Sequence, residues 1–229
     1  MKGRAGRKKV TEALTELKGV VSAYDNALYL WHDENKELIG ILAMHVDDFE
    51  FCGNEWFQKE VIGVLKQKFR VGTHESGTFK YLGINVNQTK DRVHVDQDIY
   101  ISSISPIEIK KGRSIRKNDE LSSEEKSDLK RLAGQMMWVA TQTRPDISFD
   151  VCTMSNTGKH PKVKMLFEAN KALVKLKSKK NGISFPKLGK PEEFSITCYS
   201  DATYASLEDG SPQGGFMVFI EGRDNKIAP

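Results

Sequence analysis

One segment constrains the fold more than any other: an apolar run that ends in two adjacent carboxylates. Residues 38–46 are mostly apolar, Asp47 and Asp48 follow, and residues 49–53 alternate phenylalanine with Glu50 and Cys52 before a glycine. Alternation of this kind predicts a β-hairpin with the two acids at its tip. Paired carboxylates on a hairpin suit hard divalent cations, which prefer oxygen ligands. Aspartate is also a common turn residue, so a purely structural turn stays open on this pair alone.

Hydrophobic periodicity along the chain predicts mixed α and β structure. We expect a helix containing Val10, Ala13, Leu14 and Leu17, and a strand over residues 26–31. The hairpin follows, then a helix through residues 57–69 capped by Asn54. Residues 77–88 and 92–96 alternate like two paired strands. The fold class predicted for the chain is therefore α+β.

The second half of the chain is predicted to be mainly helical, with a hairpin at its end. Residues 108–120 are polar and predict a loop, and Ser122 with Glu125 fits a capping box at the start of a helix. The apolar stripe predicted for the capped helix is Leu129, Leu132, Ala133, Met136, Met137 and Ala140. The stripe predicted for the next long helix is Val163, Leu166, Phe167, Asn170, Leu173 and Val174. Two strands are then predicted, at residues 194–200 and 214–220.

Charge is unevenly distributed, although the net charge of the 229-residue chain is only +4. Residues 159–190 contain ten lysines and a single acid, Glu168. Clustered basic charge is typical of a protein that binds nucleic-acid phosphate, although a solvated helix face has the same composition. The lysines that we select as candidates for nucleic-acid binding are Lys171, Lys175, Lys177, Lys179 and Lys180.

Cysteine content and hydropathy indicate where the protein resides. Cys52, Cys152 and Cys198 lie far apart and form no CxxC pair, so a disulfide framework or zinc site is not expected. No apolar run reaches the ~20 residues of a membrane helix, and no signal peptide is evident. We expect an intracellular protein, cytoplasmic or nuclear, with no membrane partner. The sequence does not indicate its oligomeric state.

Five blocks of the sequence stand in order along the chain. They are His45-Val-Asp-Asp48; Gly77-Thr-Phe-Lys-Tyr-Leu-Gly83; Asp96-Gln-Asp-Ile-Tyr-Ile101; residues 132–147, ending in Thr-Arg-Pro-Asp-Ile; and Cys198-Tyr-Ser-Asp-Ala-Thr-Tyr-Ala205. Together they resemble the reverse transcriptase–ribonuclease H region of copia-type LTR retrotransposon polyproteins. In that order, they are similar to the aromatic-x-Asp-Asp signature of the polymerase palm, the primer grip, the start of the thumb, the family's long signature and the first ribonuclease H strand. The block ending in Thr-Arg-Pro-Asp-Ile is the most specific.

The resemblance implies a fold, a domain order and a chemistry. It implies a partial palm over residues 1–97, a helical thumb and connection over 98–190, and the first hairpin of a ribonuclease H-like domain over 191–229. The family is an RNA-directed DNA polymerase, a nucleotidyltransferase that uses two magnesium ions. Its partners are an RNA or DNA primer–template duplex and deoxynucleotides.

The resemblance also implies roles for individual residues. Asp47 and Asp48 are implied to be catalytic metal ligands, and Asp201 the first carboxylate of the ribonuclease H site. A structural alternative for Asp201 is an acid that caps a turn at the end of a strand. Tyr81, Leu82 and Gly83 are implied to hold the primer end. The family more often has tyrosine at the position of His45. The side-chain contact with the incoming nucleotide that the resemblance implies is therefore expected to differ here.

Two features depart from a working polymerase. The family places a third palm carboxylate and the nucleotide-binding fingers upstream of the hairpin, but only 46 residues precede Asp47. The remaining acids of the ribonuclease H site are also missing. We therefore expect both sites to be incomplete and the chain to be inactive alone. Two alternatives remain: a non-catalytic nucleic-acid-binding remnant of a retroelement, and a decayed gene product that does not fold stably.

Overall fold

The computed structural model describes residues 4–46, 48–69, 72–156, 158, 160–204, 210–223 and 226–229, with the side chains of residues 4–7 left out. The chain divides into two compact units, Met1–His74 and Glu75–Pro229. Both combine helices with antiparallel sheets, so the predicted α+β class is confirmed. The division at residues 97/98 and 190/191 rests on sequence resemblance and stays a prediction.

Unit 1 is a four-stranded antiparallel sheet packed against helices. Its strands run in the order β1-β2-β3-β4, which is also their order in the sequence. The helical elements are α1 (Arg4–Glu16), α2 (Glu55–Phe57), a π-helical turn (Gln58–Ile62) and α3 (Gly63–Lys68); the strands are β1 (Val20–Val21), β2 (Leu28–His32), β3 (Leu38–His45) and β4 (Asp48–Gly53). Asn54 caps α2, because its side chain accepts a hydrogen bond from the Phe57 N–H at 2.9 Å. The hairpin and the Asn54 cap are thus confirmed.

The core of unit 1 centres on Phe57. Its ring is fully buried and meets Trp31 edge to face, with the ring centroids 5.0 Å apart. The backbone of β3 and β4 lies directly against this ring at Gly40 and Gly53, where a Cβ atom would come within 2.1 and 2.4 Å of it. Glycine is therefore required at both positions, because any side chain would displace the ring that anchors the hairpin.

Unit 2 contains a second four-stranded antiparallel sheet in the order β5-β6-β7-β8. Its strands are β5 (Thr78–Tyr81), β6 (Ile84–Gln88), β7 (Arg92–Asp96) and β8 (Ile183–Pro186). The alternation over residues 77–88 is two strands rather than one, since the chain reverses at Leu82 and Gly83, with φ of 47° and 83°. Strand β8 follows all of the helices and pairs with β7, so the last helix is tied back to the sheet.

The helices of unit 2 surround their own hydrophobic core. They are α4 (Asp98–Ser103), α5 (Ser123–Gln142), α6 (Ser148–Ser155) and α7 (Lys164–Ser178). The capping box of α5 is present as predicted: Ser122 Oγ accepts from the Glu125 N–H, and the Glu125 carboxylate accepts from the Ser122 N–H. Two predicted core residues are wrong, because Met137 is 39% exposed and Val174 is 67% exposed. Val139, which lies on the inner face of α5, is buried instead of Met137.

The last sheet of unit 2 has the order β11-β10-β9 and is largely exposed. Its strands are β9 (Ser195–Thr203), β10 (Gln213–Glu221) and β11 (Ile227–Ala228). Both faces carry exposed apolar side chains, among them Ile196, Tyr199, Phe216 and Met217. The sequence between these strands also predicts a turn at residues 207–211, most of which lies outside the described residues. None of the described helices is long and apolar enough to cross a membrane.

Candidate functional site

Asp48 lies at the turn end of the β3–β4 hairpin. It pairs with His45, the last residue of β3, and Val46 follows His45 in the turn. Asp47 lies outside the described residues. Val46 has a φ of 53° and is exposed, a conformation that β-branched residues rarely adopt. Strained residues are over-represented at functional sites, and this one directly precedes the two acids.

Asp48 is held by a strand whose other face is anchored. It begins β4 and is exposed, whereas Phe49 and Phe51 pack against the core of unit 1. Because side chains alternate along a strand, Asp48 shares the outer face with Glu50 and Cys52. The core contacts of the two phenylalanines therefore fix the direction in which Asp48 points.

The outer face of β4 affects the ionisation of two neighbouring groups. Partial burial by the surrounding sheet raises the pKa of Glu50, although its side chain still reaches solvent. The pKa of Cys52 is raised by burial and, secondarily, by the negative charge of Glu50. Cys52 is therefore a neutral thiol at neutral pH, which makes it a poor metal ligand. Sequence patterns place Glu50 on this face but give no sign of its raised pKa.

The described residues do not by themselves form a complete metal centre. No group of three or more histidine, cysteine, aspartate or glutamate side chains that could hold a metal ion occurs among them. The adjacent acids Asp47 and Asp48 supply two carboxylates, whereas a two-metal site needs more ligands to fix both ions. The fit to magnesium is thus incomplete, and no catalytic step through the ion can be derived.

Leu82 and Gly83 form the tight turn between β5 and β6, and Tyr81 is the last residue of β5 before it. Tyr81 and Ile84 are the closing pair, and the two residues between them have positive φ. Two successive positive φ angles match the twist of the flanking strands and are typical of two-residue hairpins. Leu82 is 39% exposed at this tip. The three residues are thus presented together at one end of the β5-β6-β7-β8 sheet.

Asp201 lies within a strand rather than at its end. It pairs with Gly215 of β10, and β9 continues to Thr203. Its Oδ1 accepts a hydrogen bond from the Ala202 N–H at 2.8 Å. Asp201 is exposed on a sheet with little cover, so its surroundings hold it far less firmly than those of Asp48. The alternative of a strand-end cap is wrong.

The five candidate lysines differ in how they are engaged. All are exposed: three lie on the outer face of α7, and Lys179 and Lys180 follow its last residue. Lys175 forms an ion pair with Asp150 at 2.7 Å, and Lys177 Nζ donates to the Ser102 carbonyl at 3.1 Å. In the described part of the chain, Lys171, Lys179 and Lys180 make no such side-chain contacts. These three are therefore the lysines available to a polyanion.

Arg144 is a key residue to which the sequence alone assigns no role. Its guanidinium is 1% exposed and forms two hydrogen bonds of 2.8 Å with Asp146. It also donates to the carbonyls of Leu176 and Lys179, at 3.2 and 2.8 Å. Those carbonyls belong to the end of α7, where helices leave acceptors unpaired. Arg144 thus caps α7 and fixes the backbone that carries Lys179 and Lys180.

The signal for Arg144 was the Thr-Arg-Pro-Asp block. Thr143 supplies a second buried contact, because its hydroxyl donates to Gln97 Oε1 at 2.9 Å. The guanidinium also lowers the pKa of Asp146, chiefly through their hydrogen bonds. The block therefore joins the end of α5 to the end of α7, a structural role within unit 2.

Comparison with known proteins returns no match: no family model, no curated protein and no solved structure resembles the chain closely enough to be assigned. The residues themselves are therefore the basis for a functional proposal. Asp48 belongs to unit 1, whereas the Tyr81 turn, the lysines and Asp201 belong to unit 2.

Proposed function

We propose that the chain is part of a copia-type reverse transcriptase, with the start of a ribonuclease H-like domain after it. The observation that carries the proposal is Asp48, which follows Asp47 in the sequence and begins the second strand of a hairpin whose inner face packs on the core of unit 1. The five sequence blocks in family order support it. Unit 1 then corresponds to part of the palm, and the α5–α7 region to the thumb and connection.

In this proposal each candidate residue has a distinct task. Asp47 and Asp48 would hold magnesium, and the ion would supply positive charge for the oxygens of nucleotidyl transfer. Tyr81, Leu82 and Gly83 position the primer end, and Asp201 is a ribonuclease H carboxylate. The exposed lysines at the end of α7 contact the phosphate backbone of the duplex, a contact that carries no sequence information.

The same proposal limits the activity of this polypeptide. Positioning and charge compensation supply most of the rate in phosphoryl transfer, and two carboxylates supply only part of both. We therefore propose weak magnesium binding at the hairpin, with little or no primer extension by this chain alone. Deoxynucleotide binding needs residues that no block of this sequence resembles.

A primer-extension assay with magnesium tests this function. Wild-type chain and the Asp47→Asn variant are compared on an RNA template and on a DNA template. Both should extend the primer negligibly, although the wild type should bind the duplex. Robust extension that the substitution abolishes would show that the carboxylate set is complete. It would overturn the proposal that this chain alone extends primers little or not at all.

The second candidate is a nucleic-acid-binding protein without catalysis. It is favoured by Lys171, Lys179 and Lys180, which form no ion pair among the described residues, and by the hairpin carboxylates, which do not complete a metal site. Duplex binding should then weaken with salt, with a slope that falls by about 1 for each lysine lost from a phosphate contact. Replacing the three lysines by glutamine should flatten the slope, whereas Lys90→Gln, on the β6–β7 turn, should not. An unchanged slope in the triple variant would exclude this interface.

A further inference from the structure

Two loops of unit 2 meet at a basic pocket that has no part in the proposed function. One loop joins β8 to β9, and the other joins β10 to β11. Together they place four basic residues around the pocket: Lys187, Lys190, Arg223 and Lys226. The pocket has a volume of about 300 Å³, at the lower end of the ~300–1,000 Å³ range of ligand sites. A pocket of this size suits a small ligand.

The backbone holds the two loops in close contact. The Arg223 N–H donates to the Leu188 carbonyl oxygen at 3.2 Å. Gly222 lies so near that a Cβ atom there would come within 2.2 Å of the same oxygen. Gly189, the next residue of the first loop, has a φ of 109°, a conformation that favours glycine. The close approach at Gly222 and the positive φ at Gly189 thus explain how the basic residues of both loops come together.

Most of the positive charge around this pocket is uncompensated. Glu193 is the single acid among the described residues that line it, and its carboxylate pairs with Arg223 at 2.6 Å. Within the described part of the chain, the side chains of the three lysines form no ion pair or hydrogen bond. Because like charges repel one another, gathering three ammonium groups is unfavourable unless an anion binds between them.

We propose that this pocket binds a compact anion with two or more phosphate groups, such as inorganic pyrophosphate. Each lysine ammonium offers three N–H donors, and hydrogen bonds between an ammonium and a phosphate oxygen are among the strong ones. A compact polyphosphate concentrates its charge in a small volume, whereas the charges of a nucleic-acid strand are spread along its length. No aromatic residue is among the described lining residues, so the pocket offers a nucleotide base no ring to stack on.

Isothermal titration calorimetry of the full chain with inorganic pyrophosphate tests the proposal. A chelator in the buffer removes magnesium, so that the metal cannot link the ligand to the hairpin carboxylates. Pyrophosphate should bind at least about tenfold more tightly than sulfate, which has fewer oxygens and less charge. The double variant Lys187→Gln with Lys226→Gln removes one ammonium from each loop and should weaken binding at least about tenfold. Lys130→Gln, at an exposed lysine of α5 that does not line this pocket, is the matched control.

One further variant should have the opposite effect. Glu193→Gln should strengthen pyrophosphate binding several-fold, because it removes the acid of the pocket and releases the guanidinium of Arg223. All of these substitutions replace charged side chains by glutamine, and circular dichroism checks that each variant is folded. The proposal is overturned if pyrophosphate binds no more tightly than sulfate, if the double lysine variant binds as well as wild type, or if Glu193→Gln weakens binding. Displacement of pyrophosphate by single-stranded or duplex DNA would also overturn it, because the pocket would then be a contact for a nucleic-acid backbone.

Discussion

The molecule has two β-hairpins that each carry a candidate carboxylate, and they differ in what holds them. In the β3–β4 hairpin, Leu42 and Met44 are buried and Phe49 and Phe51 pack on the same core, so alternate side chains anchor the hairpin. In the β9–β10 hairpin, nearly every side chain is exposed on both faces. A carboxylate can contribute to a site only if its backbone is held in place. The contrast favours the Asp47-Asp48 hairpin over Asp201 as the organised site.

The largest expected effect comes from removing the anchor of the β3–β4 hairpin. Phe57→Ala should destabilise unit 1 by about 3–5 kcal/mol, because it empties the space between Trp31 and the two glycines. Phe216→Ala is the matched change on β10 and should cost less than about 0.5 kcal/mol, since that ring is 77% exposed. Urea denaturation followed by circular dichroism measures both. Equal losses in the two variants would remove the contrast between the hairpins.

Arg144 tests whether the stability of unit 2 resides in its helices rather than in its exposed sheet. Arg144→Ala should cost about 3 kcal/mol, because it removes charge-assisted hydrogen bonds to Asp146 and to the end of α7. Arg144→Lys should restore little of this, since lysine cannot form the two parallel bonds. Hydrogen exchange should show faster exchange at the end of α7. If Arg144→Lys were as stable as wild type, a positive charge at this position would be sufficient for the stability of unit 2, without the two parallel hydrogen bonds.

The capping box of α5 should have a smaller and more local effect. Ser122→Ala should destabilise unit 2 by about 1 kcal/mol, because the Glu125 N–H loses its acceptor. Ser123→Ala, one residue further on, is the control and should change stability by less than about 0.5 kcal/mol. Thermal melting compares them. If both variants melt alike, the cap contributes nothing measurable.

The smallest effects should be two pH dependences of opposite sign. The pKa of Asp146 is lowered, so its contribution to stability is present above the usual aspartate pKa and is lost as pH falls through the lowered value. The pKa of Glu50 is raised, so its contribution is present below the usual glutamate pKa and is lost as pH rises through the raised value.

Two isosteric variants isolate these contributions. At pH 7 Asp146→Asn should be less stable than wild type, whereas Glu50→Gln should be slightly more stable. Both differences should shrink in acid, below the pKa of the group concerned. Urea titrations at neutral and acidic pH provide the comparison. Differences of the same sign at pH 7 would contradict one of the two assignments.

Local signals in the sequence predicted much of the fold. The alternation around Asp47 and Asp48 predicted the hairpin, and Asn54 and Ser122 predicted two helix starts, because caps depend on neighbours within a few residues. The break at Leu82 was not predicted, since a two-residue turn leaves the alternation of the strands intact. The exposure of Met137 and Val174 was not predicted either, because it depends on which helices pack beside them.

The site was less predictable than the fold. The alternation placed Asp48 at the tip of a hairpin, and the structure has it one step from the tip, as the first residue of β4. The role of Arg144 depends on carbonyls of Leu176 and Lys179, 32 and 35 residues away in the sequence, so no local pattern reveals it. The engagement of Lys175 by Asp150 is likewise a contact between distant helices. Periodicity shows which lysines are exposed, but it does not show which of them are already paired.

The most direct test is a manganese titration followed by the amide NMR signals of the full chain. Mn²⁺ replaces Mg²⁺ at oxygen sites and broadens the signals of nearby nuclei. Signals of residues 45–50 should broaden first, before those around Asp201, and Asp48→Asn should weaken the effect while Asp201→Asn leaves it unchanged. No broadening at the β3–β4 hairpin, or broadening that Asp48→Asn does not alter, would contradict the assignment of this hairpin as the metal-binding carboxylate pair.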